Sequence, residues 1–509
     1  VCHGSSPVIY NVTIVNNSLA GIYLRPNASG SHPTVINSII YGNSDNNQII
    51  LSSGGNAYLS AIDISYCLVE GGQSSISQVL NDTINWGTGN IDVEPMFVDS
   101  DNGNYHLLAS SMLINAGHPD STDSDGSRAD MGAYPYLNTY SGPTWYVSAA
   151  DGNNTSATGA STAPFKSIQS AINFATTAGD SVTVAAGTYV ENVNFRGRNI
   201  KVVGEDRETT IIDGNQNGSV VTFISEEPSS TLLRNFTIQN GNSFAGGGIL
   251  ITSNPTLDKL IIQSNTASDN GGGVQISGNS TISNTIIRNN TGAFSGISSV
   301  GGNVSLVNTL VYNNTGTGRG SSVHVGGPGS VLNCINTTVI KNINTGEQIY
   351  SGGIYVQGGG QLNLINSLVW DNTTAAIVMD GDICPDSSKV FMAYSNIEGG
   401  AGGIDTTNGS CVSLNWLDGN ISTYPSFLDT ANGDYRLSDL SPAISGATSS
   451  IIIDGVTYTA PTTDLDGNPR PNPAGTSPDM GAYESDKGVD PNYAGPVWYV
   501  DGPAGVPYG

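Results

Sequence analysis

The chain has 509 residues, with 16 Lys and Arg against 42 Asp and Glu, so its formal net charge is −26. This balance argues against a protein that binds nucleic acid, which needs a positive face, and against one that binds anionic membrane surfaces. No run of 18 apolar residues occurs, so the sequence predicts no membrane-spanning helix.

The chain contains a long internal repeat of about 353 residues. It predicts a truncated first copy at 1–136, a linker at 137–144, a complete copy at 145–484, a second linker at 485–497 and the start of a third copy at 498–509. Strand-like residues from Val8 onward have no capping helix before them. We therefore expect a segment of a longer tandem array, or a subunit whose ends join head to tail. The matching pairs are 35–43 with 364–372, 95–107 with 425–437, 130–134 with 479–483, and 142–147 with 495–500.

The complete copy opens with Trp145-Tyr146-Val147 and a polar loop. Apolar residues then recur at helical spacing from Phe165 to Ala175, which predicts a short α-helix at about 163–176. Thr162 is its candidate N-cap and Pro164 lies in its first turn. This helix is expected to cover the open end of the core that follows.

A shorter phrase recurs inside the copy: a β-branched run that closes on Asn, at intervals of about 24 to 30 residues. Such a period indicates a solenoid, and the short runs between Gly, Asn, Ser and Thr predict strands and turns. Stacked coils would place equivalent strands about 4.8 Å apart in parallel sheets. The closing asparagines are interpreted as turn-formers that hydrogen-bond from coil to coil. They are Asn240, Asn265, Asn290, Asn314, Asn342 and Asn372.

These coils resemble the right-handed parallel β-helix of the pectin-lyase-like superfamily over nearly the whole chain. The resemblance implies an all-β solenoid at 180–400, a truncated twin before it, and one capping helix per unit. The opening resembles that of secreted β-helix proteins, including pectin esterases. The ending, which contains Asp464-Leu465-Asp466-Gly467 and Asp479-Met480-Gly481, resembles that of surface β-helix proteins of bacteria and archaea. Such membership implies export and surface attachment, but no reaction.

One column of outward-facing side chains, with one residue from each coil, is a candidate site for catalysis or glycan binding. Pectate-lyase-like enzymes need acidic Ca²⁺ ligands and a nearby Lys or Arg as base, for which Lys341 and Arg288 are the candidates. Alternatively, the column is a glycan-binding surface, or an ordinary solvated face, which we favour because no acidic cluster matches it. The column comprises Gln263, Arg288, Tyr312, Lys341 and Trp370.

Two acidic loops are candidate Ca²⁺ sites, because paired carboxylates can present several oxygens to this ion. The alternative is Asp as a turn-former, and no cofactor other than Ca²⁺ is indicated. The candidate ligands are Asp123, Asp125 and Asp130 in the first copy, and Asp464, Asp466 and Asp479 in the second.

Cys384 and Cys411 lie about one coil apart, so they either form a disulfide or are two separate thiols. The five histidines are dispersed and suggest no triad or metal site. About sixteen N-x-S/T sequons occur, and the outward ones are candidates for glycosylation. They include Asn11, Asn81, Asn235, Asn303, Asn336 and Asn372.

The sequence thus favours an extracellular structural protein, such as a filament, a sheath or an adhesin stalk, whose partners are copies of itself. The alternatives are a polysaccharide lyase or hydrolase on acidic glycans, and a non-catalytic glycan-binding module. Tandem repetition and the missing carboxylate cluster weigh against the enzyme.

Overall fold

The computed structural model describes residues 1–27, 30–43, 47–52, 58–79, 81–346, 352–381 and 387–488. The chain forms two compact units, the first spanning Val1–Ile212 and the second beginning at Asp213. The predicted fold class is confirmed, because the chain is a right-handed parallel β-helix with very little helix. Since residues 144–204 belong to the first unit, the compact units do not coincide with the copies of the sequence repeat.

The first unit begins with three parallel sheets of short strands, which stack coil on coil. The first sheet is Cys2–His3, Ile22–Arg25, Ile49–Leu51 and Ile76–Ser77; the second is Val8–Tyr10, Thr34–Ile36, Ala61–Ser65 and Thr83–Trp86; the third is Thr13–Val15, Ile39–Tyr41 and Leu68–Val69. An antiparallel hairpin follows, Phe97–Asp99 with Asn104–Leu107, and 3₁₀ turns lie at Gly72–Ser75 and Ser100–Asn102. We call residues 91–136 the first closing segment.

Residues 144–204, the opening segment, start the second copy within the same unit. Thr144–Val147 pairs in parallel with Ser181–Val184, which pairs with Lys201–Gly204. The remaining strands are Gly187–Val190, Val193–Asn194 and, at the unit boundary, Thr210–Asp213. Helix α1 spans Ile168–Phe174, and every one of its residues is buried.

Helix α1 is shorter than the predicted 163–176 and begins after Ser167 instead of Thr162. Phe165 is extended, because its amide donates to Tyr146 and its carbonyl accepts from Ser148. The first amides of the helix, of Ile168 and Gln169, donate to the carboxylate of Glu191 at 2.7 and 2.9 Å. A distant carboxylate therefore caps the positive end of the helix.

The second unit is a β-helix with three faces. Face 1 is Ser280–Ser283, Asn303–Val307, Val331–Ile335, Gln361–Ile365, Ser388–Ala393 and Val412–Trp416; face 2 is Ile286–Arg288, Leu310–Tyr312, Thr338–Ile340, Leu368–Trp370 and Asn396–Ile397; Leu232–Gln239 and Thr256–Gln263 run through both. Face 3 is Val221–Phe223, Ile249–Ile251, Val274–Ile276, Thr291–Val300, Thr315–Gly326, Ile354–Gln357, Ile377–Asp380 and Ile404–Asn408, with short strands Asn242–Ser243, Thr266–Ala267 and Ile343–Asn344 beside it. Residues 421–485, the second closing segment, contain the hairpins Phe427–Asp429 with Asp434–Leu437 and Ser450–Ile453 with Val456–Thr459; a 3₁₀ turn lies at Gly400–Gly403.

The core of the second unit lies inside the coils and is built from aliphatic side chains in register. Val323 on face 3, for example, pairs with Ile297 on one side and Ile354 on the other, and all three are fully buried. Because side chains alternate along a strand, their immediate neighbours point outward. Each coil thus adds one inward layer of Val, Ile and Leu to a continuous core.

The bend from face 2 to face 3 carries a buried row of asparagine side chains. The Nδ2 of Asn265 donates to Oδ1 of Asn290 at 3.0 Å, and the same contact joins every coil as far as Asn372. The same Oδ1 also accepts the backbone amide of the preceding asparagine, at 3.0 Å for Asn265 to Asn290. Asn240 is not in this row: it lies one residue earlier, has a φ of 58°, and donates to Asp213. Gly241 occupies the row position in that coil, and its amide donates to Asn265.

We predict that Asn290→Ala destabilises the second unit. The substitution removes the acceptor for two buried N–H groups of Asn265, and an unsatisfied buried group costs about 1–3 kcal/mol. The expected result is a fall of several degrees in the thermal midpoint and faster amide hydrogen exchange in the adjoining coils. The matched control is Asn289→Gly, at the exposed neighbouring position with a φ of 55°. An Asn290→Ala protein as stable as this control would contradict a stabilising role for the row.

Candidate functional site

The predicted outward column lies on face 2, but its membership differs in one coil. Arg288 pairs in register with Tyr312, and Tyr312 pairs with Ile340. Lys341 is therefore not in the column; it has a φ of 52° and sits at the bend. The cause is the spacing in its coil, where the basic residue directly precedes the row asparagine.

Much of this column is covered by the second closing segment. Leu310, Tyr312, Ile340 and Leu368 form one buried cluster with apolar side chains of that segment. Those side chains include Phe427, Tyr435, Leu437, Ala443, Leu465 and Met480. The ring of Tyr312 meets that of Tyr435 edge-on at 5.1 Å, and the Lys341 ammonium donates to the Thr430 carbonyl at 2.9 Å. A glycan could not reach Tyr312 without displacing this segment.

The two ends of the column are less enclosed. Arg288 donates to Gln263 at 2.9 Å and to the Tyr312 hydroxyl at 2.8 Å. The ring of Trp370 meets that of Tyr424 edge-on at 6.1 Å. These contacts are made within the chain, and glycan binding at Arg288 and Trp370 stays a prediction.

A second asparagine column, at the bend from face 1 to face 2, holds the closing segments. Asn366 exchanges two hydrogen bonds with Thr448, at 2.8 and 3.0 Å, and its carbonyl accepts the amide of Gly481. In the first unit Asn37 accepts the His118 amide at 2.6 Å, and its carbonyl accepts the Gly132 amide. The sequence analysis missed this column, although an Asn-Ser or Asn-Thr pair before four of the face 2 strands marks it: Ile286–Arg288, Leu310–Tyr312, Thr338–Ile340 and Leu368–Trp370.

The acidic loops use their carboxylates as acceptors for backbone amides. Asp479 accepts from the amides of Ser445 and Ser485, each at 2.7 Å. Asp464 accepts from Asn468 at 2.7 Å and from Asp466 at 3.0 Å. Among the described residues, no three His, Cys, Asp or Glu side chains come together as a metal site. Calcium binding by either loop stays a prediction.

The first unit repeats this arrangement. Asp130 accepts from the amides of Asn115 and Tyr136, each at 2.7 Å, and its own amide donates to Asp123. Asp125 accepts the amide of Asn138 at 2.8 Å. Burial raises the pKa of Asp130 to about 7.

The remaining predictions concern the cysteines, the start of a third copy and the glycosylation sites. Cys411 is disulfide-bonded, whereas Cys384 lies outside the described residues. The predicted start of a third copy, residues 498–509, also lies outside them. The candidate glycosylation sites Asn336 and Asn372 are buried, so a glycan there would conflict with the fold. Asn81 and Asn303 are exposed, and Asn11 and Asn235 are half-buried.

A buried polar cluster on the outside of face 3 was missed by the sequence analysis. His324 is 1% exposed, and its ring nitrogens lie 2.9 Å from Ser298 Oγ and 2.9 Å from Gln357 Nε2. Its ring stacks on Phe294 with centroids 3.8 Å apart. In the next coil the Tyr355 hydroxyl donates to Asp380 at 2.5 Å. The outward direction of His324 could have been read from its position between Val323 and Val325.

The most extensive polar network lies where the first closing segment meets the opening segment, both within the first unit. The fully buried Asn173 donates to the carbonyls of Ala109 and Ser111, at 2.9 and 2.8 Å. Arg196 donates to the carbonyl of Ile114 at 3.0 Å and to Asn173 Oδ1 at 2.6 Å. We call this set of contacts the junction.

Further contacts extend the junction on both sides. Asn115 donates to the carbonyl of Asn173 at 3.2 Å. The Tyr136 hydroxyl donates to Ala157 at 2.7 Å, and Asn138 donates to Thr158 at 3.0 Å. Residues 137–144, predicted as a linker, are thus tied to the opening segment at Asn138. Two successive copies of the repeat are joined here by buried hydrogen bonds.

Comparisons with known proteins found similarity among solved structures only. No family model matches the sequence, and no curated protein matches it. Solved structures that match include a pectin methylesterase in complex with hexasaccharide VII, at 13% identity and a TM-score of 0.28, and pectin methylesterase PemA from Erwinia chrysanthemi, at 12% and 0.27. Each match covers 53% of this chain and 81% of the other. A mutant pectin methylesterase with hexasaccharide IV matches at 11% and 0.29, covering 60% of this chain and 95% of the other. At these values the activity of those enzymes does not transfer to this chain.

We predict that Asn173→Ala loosens the junction. It removes two donors and one acceptor from a fully buried site, and the carbonyls and the Arg196 guanidinium left behind lose a partner. The expected result is a lower thermal midpoint and faster hydrogen exchange around residues 109–115. The control is Thr176→Ala, at an exposed position just after helix α1. Equal exchange in the two variants would show that the network does not hold the junction together.

We also predict that stability falls as pH rises between about 4 and 7. Asp130 has a pKa of about 7 when folded, against about 3.9 for an ordinary Asp. The folded state therefore takes up this proton first, and the stabilisation it provides below about pH 4 is lost as pH passes through 7. Thermal midpoints at pH 5 and pH 8 measure this effect. Asp130→Asn should reduce the dependence without abolishing it, because burial also raises the pKa values of Glu191, Asp479 and Glu484. Asp101→Asn, at an exposed position, should leave the dependence unchanged, and a midpoint that rises with pH would contradict the assignment.

Proposed function

We propose that the chain is part of an extracellular structural protein, such as a filament, a sheath or an adhesin stalk, made of tandem β-helix units. The junction is the observation that carries this proposal. Domains that act independently need only a flexible linker between them. Here Asn173 and Arg196 instead bury their polar groups against the backbone of the preceding copy. Such a connection resists bending at the point where two copies meet.

The surface composition supports the same proposal. Charged residues are 11% of the chain and the net charge is −26, so the exposed surface is largely Asn, Ser, Thr and Gly with excess acid. Across the described residues, no helix is long and apolar enough to cross a membrane. The proposed partners are copies of the chain itself.

A hydrolase or lyase acting on acidic polysaccharides is the second candidate. The cluster of His324, Tyr355 and Asp380 favours it, because these groups can exchange protons and lie on adjoining coils of one face. A cavity of 550 Å³ is lined by Glu398 and by Asp405. Asp405 pairs in register with Val378, which in turn pairs with Tyr355. His324 is 1% exposed and Tyr355 is 0% exposed, and this burial places the enzyme second.

We predict that the native source shows strings or fibres with a regular axial spacing when imaged by electron microscopy. Copies joined at a fixed junction must follow one another at a constant interval. Labelling with an antibody against this chain identifies the fibres that contain it. Separate compact particles that carry the label would contradict the proposal.

The same material tests the second candidate. Polygalacturonate, alginate and methyl-esterified pectin are incubated with the protein and Ca²⁺, and unsaturated products and released methanol are measured. We expect no turnover. Steady product formation that is abolished by Lys341→Ala, or by Tyr355→Phe with Asp380→Asn, would reverse the ranking of the two candidates.

A further inference from the structure

The two closing segments are held by equivalent hydrogen bonds to the backbone. In the first, the Ser111 hydroxyl donates to the carbonyl of Pro95, and the Asn115 amide donates to Asp130 at 2.7 Å. In the second, Ser441 donates to Pro425, and the Ser445 amide donates to Asp479 at 2.7 Å. Residues 109–115 and 439–445 are therefore the same structural element in two copies.

The two elements differ in what covers them. In the first unit Ala109, Ser111 and Ile114 are fully buried under the opening segment. The amide of Ala109 donates to the carbonyl of Asn154, in addition to the contacts from Asn173 and Arg196. This element is thus the half of the junction that belongs to the preceding copy.

In the second unit the equivalent surface is open. Leu440, which corresponds to the buried Ser110, is 88% exposed. Asp439 is also exposed, and Pro442 and Ile444 are half-buried. Residues 495–500 repeat the first residues of the opening segment in sequence, and they lie outside the described residues. We call Asp439, Leu440, Pro442 and Ile444 the docking surface.

We propose that the docking surface receives the opening segment of a following repeat, of the kind formed here by residues 144–204. The proposal rests on the structural function above, since a tandem array is what supplies a following repeat. The residue equivalent to Asn173 donates to the carbonyls of Asp439 and Ser441, and the residue equivalent to Arg196 donates to that of Ile444. Because these acceptors are backbone atoms, the junction re-forms despite different side chains at 109–110 and 439–440.

The second copy has Leu440 at the position where the first copy has Ser110, and this leucine adds an apolar contact to the second junction. An exposed Leu is unremarkable by itself, but this one lies where the first copy is covered. Its burial by the opening segment removes apolar surface from water, which favours docking. The docking surface therefore presents both the backbone acceptors and an apolar anchor to the same partner.

The test measures the accessibility of position 440 in an extended chain. Residues 498–509 are replaced by a copy of residues 145–212, and Leu440→Cys is introduced in the extended chain and in the original one. Reaction with 5,5′-dithiobis(2-nitrobenzoic acid) reports exposure, against a low background because Cys2, Cys67 and Cys334 are buried. We expect at least a tenfold slower reaction in the extended chain.

Two controls make the result specific. Ile452→Cys, on the hairpin of the same closing segment and 68% exposed, should react at equal rates in both chains. Asn173→Ala in the added copy alone should restore fast reaction at position 440. Equal rates for Leu440→Cys in the two chains would overturn the proposal.

The reactivity of position 440 tests the docking surface separately from the proposed structural function, which the fibres test. Fibres in the native source together with a reactive position 440 would mean that the array is joined through another surface. Protection of position 440 without fibres would support the docking surface and count against the structural function.

Discussion

The structure depends on satisfying the backbone at every bend of a stacked coil. A parallel β-helix turns its chain sharply at the edge of a packed core, where an unpaired N–H or C=O would cost as much as a lost hydrogen bond. The asparagine row meets this constraint because one side chain accepts from the coil before it and donates back to it. Asn314, for instance, accepts two N–H groups of Asn290 and donates to Ile287. The layers of Val and Ile can then stack while the backbone groups at this bend keep their hydrogen-bond partners.

The fold and most of the row could be predicted because both follow from the period of the sequence. Asn265 to Asn372 recur once per coil, and stacking places equivalent residues in contact. The prediction was wrong at Asn240, because two adjacent bend positions both favour Asn and the first coil has Gly241 at the row position. The predicted helix was too long, because apolar spacing alone cannot distinguish a helical Phe165 from one whose backbone is extended beside Tyr146.

The candidate site was less predictable, since its contacts join residues that no period relates. That Tyr312 faces outward follows from strand alternation, but its cover by Tyr435 depends on how the closing segment folds back. The junction similarly joins Asn173 to carbonyl groups about sixty residues earlier. Backbone acceptors leave no side-chain signature, so repeats in a sequence can reveal that two segments recur without revealing that they touch.

The way in which Asn37 and Asn366 hold their closing segments has an evolutionary consequence. Each is hydrogen-bonded to backbone atoms of its closing segment, of His118 and Gly132 in one copy and of Thr448 and Gly481 in the other. Selection can therefore change the exposed side chains of a closing segment while this attachment persists, whereas its buried apolar side chains must still pack against face 2. The second copy carries the hairpin Ser450–Ile453 with Val456–Thr459 directly after Thr448, in place of a short turn in the first. Duplicated units of this kind can diverge in surface, and acquire insertions, long before they lose their architecture.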